Sequence, residues 1–226
     1  MGEFEQAKPI IERLKKDKDV NVLITFFSPS GYVNSKKYPY ADLISYIPFD
    51  TKHNAEKFIS ITNPAIAVIM RYDLWPNIIE ILNRKKIPVY LVDATLRKNS
   101  PRSFPLIKSF HKILFNYLSK ILTVSKEDAE EFNKFSLTSN KVYVVGDTRF
   151  DRVYERSLLA KDKKLISENI IKAKKVFVAG STWEQDEDVI FPAFLKLAAF
   201  DTNVLLIIAP HEPTLLHLDK IENEFA

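Results

Sequence analysis

Short unbroken apolar runs alternate with amphipathic segments along most of this chain. The runs are Val20 to Phe27, Leu43 to Ile47, Ala65 to Met70, Pro88 to Val92, Ile121 to Val124, Val142 to Val145, Val176 to Ala179 and Val204 to Ala209. Most lack a polar alternate, as strands covered on both faces do. Between them, Phe4, Ala7, Ile11 and Leu14 share one face while Glu5, Lys8, Glu12 and Lys15 turn outward, which predicts a helix over 4–16. Residues 54–61, 76–84, 102–118, 126–135, 184–198 and 215–225 carry similar helical patterns. Strand and helix in alternation predict an α/β fold with a doubly wound parallel sheet.

The pattern breaks between Asp151 and Lys175, where lysines stand at 161, 163, 164, 172, 174 and 175. This segment is expected to be a helical linker. It divides a first domain, 1–150, from a second α/β unit over 176–226 with room for two strands. Gly2-Glu3-Phe4 has the form of a strand-to-helix turn with no strand before it, and the chain stops inside a helical pattern. The expectation is a chain clipped at both ends, its first strand missing.

Of the four glycines, at 2, 31, 146 and 180, the last three each follow an apolar run, as turns after strands require. At Val176 to Gln185 a strand is expected to feed directly into a helix. Ser181 with Glu184, and Thr182 with Gln185, both fit a capping box, and such a helix start favours an anion. An ordinary strand-to-helix turn without ligand accounts for the same residues.

Composition narrows the classes of function. With 226 residues and 46% hydrophobic content there is ample material for cores. No run of about 18 apolar residues and no signal core occur, so nothing here is expected to span a membrane or direct export. Cysteine is absent, which excludes disulfides, thiolate metal sites and a cysteine nucleophile and fits a reducing, cytoplasmic setting. The balance of 33 basic to 29 acidic residues suits an anionic small molecule or lipid headgroup better than a nucleic acid, and equally a merely solvated surface.

Candidate chemistry lies at the predicted strand ends. Glu3, in the first turn of the first helix, suits a general base acting on a hydroxyl, though acidic residues also occupy first turns as caps. Arg71 follows the run ending at Met70 and can bind an anion or pair with Asp73. Gly146-Asp147-Thr148-Arg149 presents an arginine as a phosphate or carboxylate clamp, with surface ion pairing as the alternative. His211 falls in line with Ser181 and Thr182. His211-Glu212 begins a zinc-protease motif, but position 215 is leucine, and His53, His111 and His217 have no metal spacing, so no metal site is expected. The aromatic and basic residues of Arg102 to Phe115 can rest on a membrane surface, hold an acyl chain or pack a core. No P-loop, G-x-G-x-x-G, G-x-S-x-G or kinase signature is present.

Taken in order, Gly2-Glu3-Phe4 with Lys8-Pro9-Ile10-Ile11, Thr25 to Gly31, Leu74-Trp75-Pro76-Asn77, Gly146 to Asp151, Ala179-Gly180-Ser181-Thr182 with Glu187, and Ala209-Pro210-His211 cover essentially the whole chain. This set resembles the 3-deoxy-D-manno-octulosonic acid (Kdo) transferases, which move Kdo from CMP-Kdo to the lipid A precursor of lipopolysaccharide. The resemblance implies a two-domain GT-B glycosyltransferase, with acceptor in the N-terminal domain and nucleotide sugar mainly in the C-terminal one. It implies Glu3 as the general base of an inverting reaction that needs no cofactor or catalytic metal. Arg71 and Arg149 would act beside Glu3, and Ser28, Ser30, Asp73, Ser181, Thr182, Pro210 and His211 would bind substrate. The implied location is the cytoplasmic face of the inner membrane, peripherally.

Four positions depart from the family pattern. Arg71 stands where the family commonly has an acid, Asp147 and Arg149 replace an asparagine and a lysine, and His211 replaces an arginine. Family members are longer, with a first strand and membrane-anchoring segment before their Gly-Glu and further donor motifs after the point matching Ala226. A fragment with little transferase activity of its own is expected. Another GT-B activity on sugar nucleotides, such as an epimerase, and an inactive lipid-binding module are the competing readings.

Overall fold

In this computed structural model the described residues are 2–98, 100–138, 140–161, 163 and 165–225. Lys164 of the basic segment, the terminal Met1 and Ala226, and the side chains of Ser103, Pro105 and Leu106 lie outside them. The chain divides into two compact units, Met1–Ser157 and Leu158–Ala226.

In the first unit the order is α1 (Gly2–Asp17), β1 (Leu23–Phe26), α2 (Pro29–Ser35), β2 (Leu43–Tyr46), α3 (Lys52–Thr62), β3 (Ala67–Met70), α4 (Pro76–Arg84) and β4 (Val89–Ala94). A 3-10 turn (Pro101–Ser103), α5 (Pro105–Tyr117), β5 (Lys120–Thr123), α6 (Lys126–Asn133), β6 (Val142–Val144) and α7 (Thr148–Lys161) follow, the last crossing the boundary between units. Every strand pairing is parallel. The expected single sheet is two: β1 pairs with β2, and β3-β4-β5-β6 form a four-stranded ladder. Among the described residues no strand bridges β1 to β3. Helix α1 packs against β3, and its Phe4 ring meets Phe26 of β1 edge-on at 5.2 Å.

The core lies around β4. Ile78, Ile79, Ile81 and Leu82 recur on one side of α4 and pack with Val89, Leu91 and Ala94 of β4 and with Ala55 and Ile59 of α3. Phe115 of α5 is fully buried and meets Phe132 and Phe135 in edge-on contacts at 5.1 and 5.0 Å. Pro at the first position starts α4, and the Asp50 carboxylate caps it from a distance, accepting from Asn77 N and Ile78 N at 3.0 Å each. Double-sided cover holds for β4. Strands β1 and β2, in their two-stranded sheet, stay partly exposed.

Gly31 does not serve a turn after a strand. It sits inside α2, where an added Cβ would lie 2.6 Å from Phe26 Cδ1, so close packing requires glycine there. The turn at Gly146 is real, with φ +97°.

The second unit holds a short helix α8 (Glu168–Ile171), β7 (Lys175–Thr182), α9 (Glu184–Phe200), β8 (Val204–Pro210) and α10 (Leu215–Phe225). Residues 151–175 therefore carry two helices separated by non-helical backbone at 165–167 rather than one. Strands β7 and β8 are parallel, and Val176, Phe177 and Val178 stay exposed because a two-stranded sheet leaves surface uncovered. A buried brace joins β7 to both helices: Thr182 Oγ1 donates to Glu187 Oε1 at 2.7 Å, and Glu187 Oε2 lies 2.8 Å from His217 Nε2.

Two stability measurements follow. Phe115→Ala should cost about 3–5 kcal/mol in denaturant unfolding, whereas Phe150→Ala, at a side chain 74% exposed, should stay within about 0.5 kcal/mol. The Glu187 carboxylate and the Glu212 carbonyl raise the His217 pKa above its ordinary value. Their stabilisation is complete below about pH 6.5 and is lost as pH rises through the raised folded value. Unfolding of the second unit, followed by Trp183 fluorescence in a Trp75→Phe background, should weaken over that window, and His217→Gln should flatten the slope. Equal slopes would remove His217 from the brace.

Candidate functional site

Parallel strands send their C-terminal ends to one edge of a sheet, and the candidate residues of the first unit other than Glu3 follow such ends. Arg71 comes directly after β3 in left-handed backbone, φ +61°, and its amide donates to Val92 O at 2.7 Å. Its guanidinium lies over the Tyr72 ring at 5.6 Å. Among the described residues the Arg71 side chain has no hydrogen-bond or ion-pair partner, and its Nε is buried. The alternative of a salt bridge to Asp73 is not formed. Arg102 takes the other place at the loop, donating from Nη2 to Tyr72 O at 3.2 Å.

Glu3 occupies the first turn of α1, half-buried, where the helix dipole favours a carboxylate. No hydrogen bond or ion pair engages it among the described residues. Asp73 is close enough to feel it: burial first, then the Glu3 charge, pushes the Asp73 carboxyl above its usual range, with Arg102 opposing. A free carboxylate thus faces a second acid held toward its neutral form, an arrangement that suits proton exchange with a hydroxyl.

The Gly146 turn behaves differently from Arg71. Arg149 is exposed but grips Asp147, with Nε to Oδ2 at 2.8 Å and Nη2 to Oδ2 at 2.5 Å. That pair holds the Asp147 carboxyl below its usual range and raises the Arg149 pKa. Thr148 and Asp147 also reach Gln6 of α1: Thr148 Oγ1 donates to Gln6 O at 2.8 Å, and Gln6 Nε2 donates to Asp147 Oδ1 at 3.3 Å. Ser28 caps α2 by accepting from Gly31 N at 3.2 Å, and Ser30 Oγ lies 3.4 Å from Ser28 Oγ.

In the second unit the site residues stand at the ends of β7 and β8. Neither expected capping box forms. Gly180 lies inside β7, Ser181 takes the left-handed backbone at φ +60°, and the helix starts after Trp183, whose amide donates to Asp186 Oδ2 at 2.9 Å. The strand runs three residues further than its apolar pattern, and this displaces both hydroxyls from the cap. Thr182 is buried with its hydroxyl on Glu187. Ser181 is exposed, its Oγ 2.7 Å from His211 Nδ1, which leaves Nε2 as the other polar atom of that ring. His211 stacks on Trp183 at 4.4 Å, and Pro210 ends β8 opposite Thr182. Beside them a recess of about 800 Å³ is lined by Trp183, Glu184, Glu212, Thr214, His217 and Lys220 among others.

Sequence reasoning missed Asp93, Gln6, Arg102 and Trp183. A lone acid ending the apolar run Val89 to Val92 was the one available signal for Asp93. Among the described residues no cluster of His, Asp and Glu has the form of a metal site, and no helix is long and apolar enough to cross a membrane.

Comparison with known proteins places this geometry. Residues 1–152 match the family described as 3-deoxy-D-manno-octulosonic-acid transferase. A bifunctional glycosyltransferase/methyltransferase of Fusobacterium nucleatum is 30% identical across 99% of this chain and 34% of its own length. The 3-deoxy-D-manno-octulosonic acid transferase of Haemophilus influenzae is 24% identical across 94% of this chain and 50% of its own. The chain therefore spans between a third and a half of these relatives. Among solved structures, the UDP-GlcNAc 2-epimerase of Neisseria meningitidis bound to UDP-GlcNAc matches with TM-score 0.66 at 16% identity, over 99% of this chain and 66% of that one. The enzyme of Methanocaldococcus jannaschii matches with TM-score 0.62 at 16% identity, over 100% and 67%. Those likenesses establish the α/β GT-B fold. With more than half of its length matched, the chain belongs to the 3-deoxy-D-manno-octulosonic-acid transferase family of glycosyltransferases.

Proposed function

We propose that this chain carries the acceptor site and the beginning of the donor site of an inverting enzyme that transfers Kdo from CMP-Kdo to a lipid A precursor. The observation that carries the reading is the unengaged Glu3 carboxylate at a helix N-terminus, beside Asp73, in the unit that also presents the unengaged Arg71. Glu3 takes the proton of an acceptor glucosamine hydroxyl as its oxygen attacks the Kdo anomeric carbon. The bond from that carbon to the CMP phosphate oxygen breaks, and CMP leaves with the electron pair. No redox or carrier cofactor enters this balance.

Arg71 and Arg149 meet the negative charge of donor carboxylate and phosphate, Arg149 by exchanging Asp147 for the ligand. Ser28, Ser30 and Asp73 supply polar contacts to the acceptor. Ser181, His211 and the backbone at Pro210 supply them to the donor. Thr182 contributes by holding its strand end through Glu187.

Helix α5 supports a lipid acceptor and a peripheral position on the cytoplasmic face of the inner membrane. Its inward side buries Leu114 and Phe115, while Phe104, Ile107, Phe110 and Ile113 are exposed together with Lys108 and Lys112 nearby. Exposed aromatic and aliphatic groups with lysines suit an anionic lipid surface.

With about half of its relatives' length, the chain alone is expected to bind lipid A precursor and to form product slowly. Product formation from CMP-Kdo should fall about 10²–10⁴-fold in Glu3→Gln with acceptor binding retained. A Glu3→Gln chain as active as the wild type would overturn the base assignment. Precursor binding that survives Glu3→Ala without any wild-type turnover would favour the lipid-binding module.

A further inference from the structure

Strand β4 ends on a carboxyl group that the proposed reaction does not use. Asp93 is fully buried, with left-handed backbone at φ +51° where the β4–β5 register shifts. It makes no ion pair among the described residues. Its Oδ1 accepts from Thr148 N at 3.2 Å, and its Oδ2 is hydrogen-bonded to Thr148 Oγ1. The same Oγ1 lies 2.8 Å from the main-chain oxygen of Gln6.

A threonine hydroxyl has one hydrogen. Were Asp93 ionised, that hydrogen would face two acceptors, and either the Asp93 or the Gln6 contact would bring two oxygens together with none between them. A proton on Asp93 Oδ2 closes the count. Oδ2–H then donates to Thr148 Oγ1, Oγ1–H donates to Gln6 O, and Thr148 N–H donates to Oδ1.

We propose that Asp93 is a positioning residue acting as the neutral acid: through Thr148 it pins the start of α1, which carries Glu3, to the Gly146–Arg149 turn. Neutral Asp93 also leaves the nearby Arg71 charge unopposed for an anionic substrate. The roles of Glu3 and Arg71 rest on the function proposed above; the proton on Asp93 does not.

The surroundings agree. Burial pushes the Asp93 carboxyl upward and the charge of Asp147 adds to it, while the Thr148 hydrogen bonds and the Arg71 guanidinium pull the other way, with a net rise. Arg149 also faces Asp93 but is paired with Asp147. From α1 the facing side chain is the uncharged Gln6, 2% exposed.

The test uses the full chain labelled with carboxyl-13C aspartate, the Asp93 signal being assigned by its loss in Asp93→Asn. Its resonance should titrate above the ordinary value of about 3.9. Because the folded value is raised, wild-type stability relative to Asp93→Asn should fall as pH rises through that midpoint. In Asp93→Asn an amide N–H stands where the acid has O–H, so protection of the Thr148 amide from hydrogen exchange should be kept. Asp93→Ala should speed that exchange about tenfold. If the alanine chain fails to fold, the wild-type titration still decides. Titration at or below the ordinary value, or an asparagine chain exchanging as fast as the alanine chain, overturns the proposal. Neither readout needs turnover, so a failed transfer assay and a failed Asp93 assignment are told apart.

Discussion

Parallel pairing is the constraint from which the rest follows. A chain that adds each strand parallel to the last must return through a helix, so the strand C-termini of a sheet gather along one edge. In the four-stranded sheet that edge collects Arg71, Asp93 and the Gly146–Arg149 turn, and α1 is drawn to it through Gln6, 141 residues away from Asp147. Loops at such an edge carry polar groups that a buried strand cannot, and β4, buried along most of its length, shows what happens when one does. Its Asp93 has to find every partner inside the protein.

The charged groups at this edge differ in whether the fold already occupies them. Arg149 is neutralised by a bidentate carboxylate within 3.0 Å, and Asp147 is in turn held by Gln6 and by the Arg149 amide. Among the described residues the Arg71 side chain has no hydrogen-bond or ion-pair partner, and its guanidinium lies over the face of Tyr72. The guanidinium without an ion-pair partner among the described residues is therefore Arg71 and not the arginine of the turn, which is more conspicuous in the sequence. The same distinction separates Ser181, exposed beside His211, from Thr182, committed to Glu187.

The apolar runs made the eight strands of the described residues legible, because a short apolar, β-branched stretch has few other uses in a globular chain. Helix α4 was legible to the residue, since Pro76 starts it and Arg84 ends its apolar periodicity. What sequence could not carry was the choice between competing local rules. Ser181 and Thr182 satisfy capping spacing, yet pairing of β7 with β8 out to Pro210 keeps them in the strand. Pro29-Ser30-Gly31 looked like a loop, and only the Phe26 ring against Gly31 explains why a glycine sits in that short helix. Gln6 and Asp93 owe their places to partners far along the chain, which no local pattern contains.

Two of the departures expected from the resemblance, at positions 71 and 211, differ in how the fold surrounds them. By the resemblance read from the sequence, Arg71 stands where an acid is common and His211 where an arginine is common. His211 stacks on Trp183 with Nδ1 at Ser181, so it offers a hydrogen bond and an aromatic face. The guanidinium without a partner among the described residues therefore belongs to the first unit, and the imidazole stacked on Trp183 to the second. The neutral Asp93 proposed above matters at this edge, because an ionised carboxylate beside Arg71 would offset the only guanidinium there that the fold leaves without a partner among the described residues.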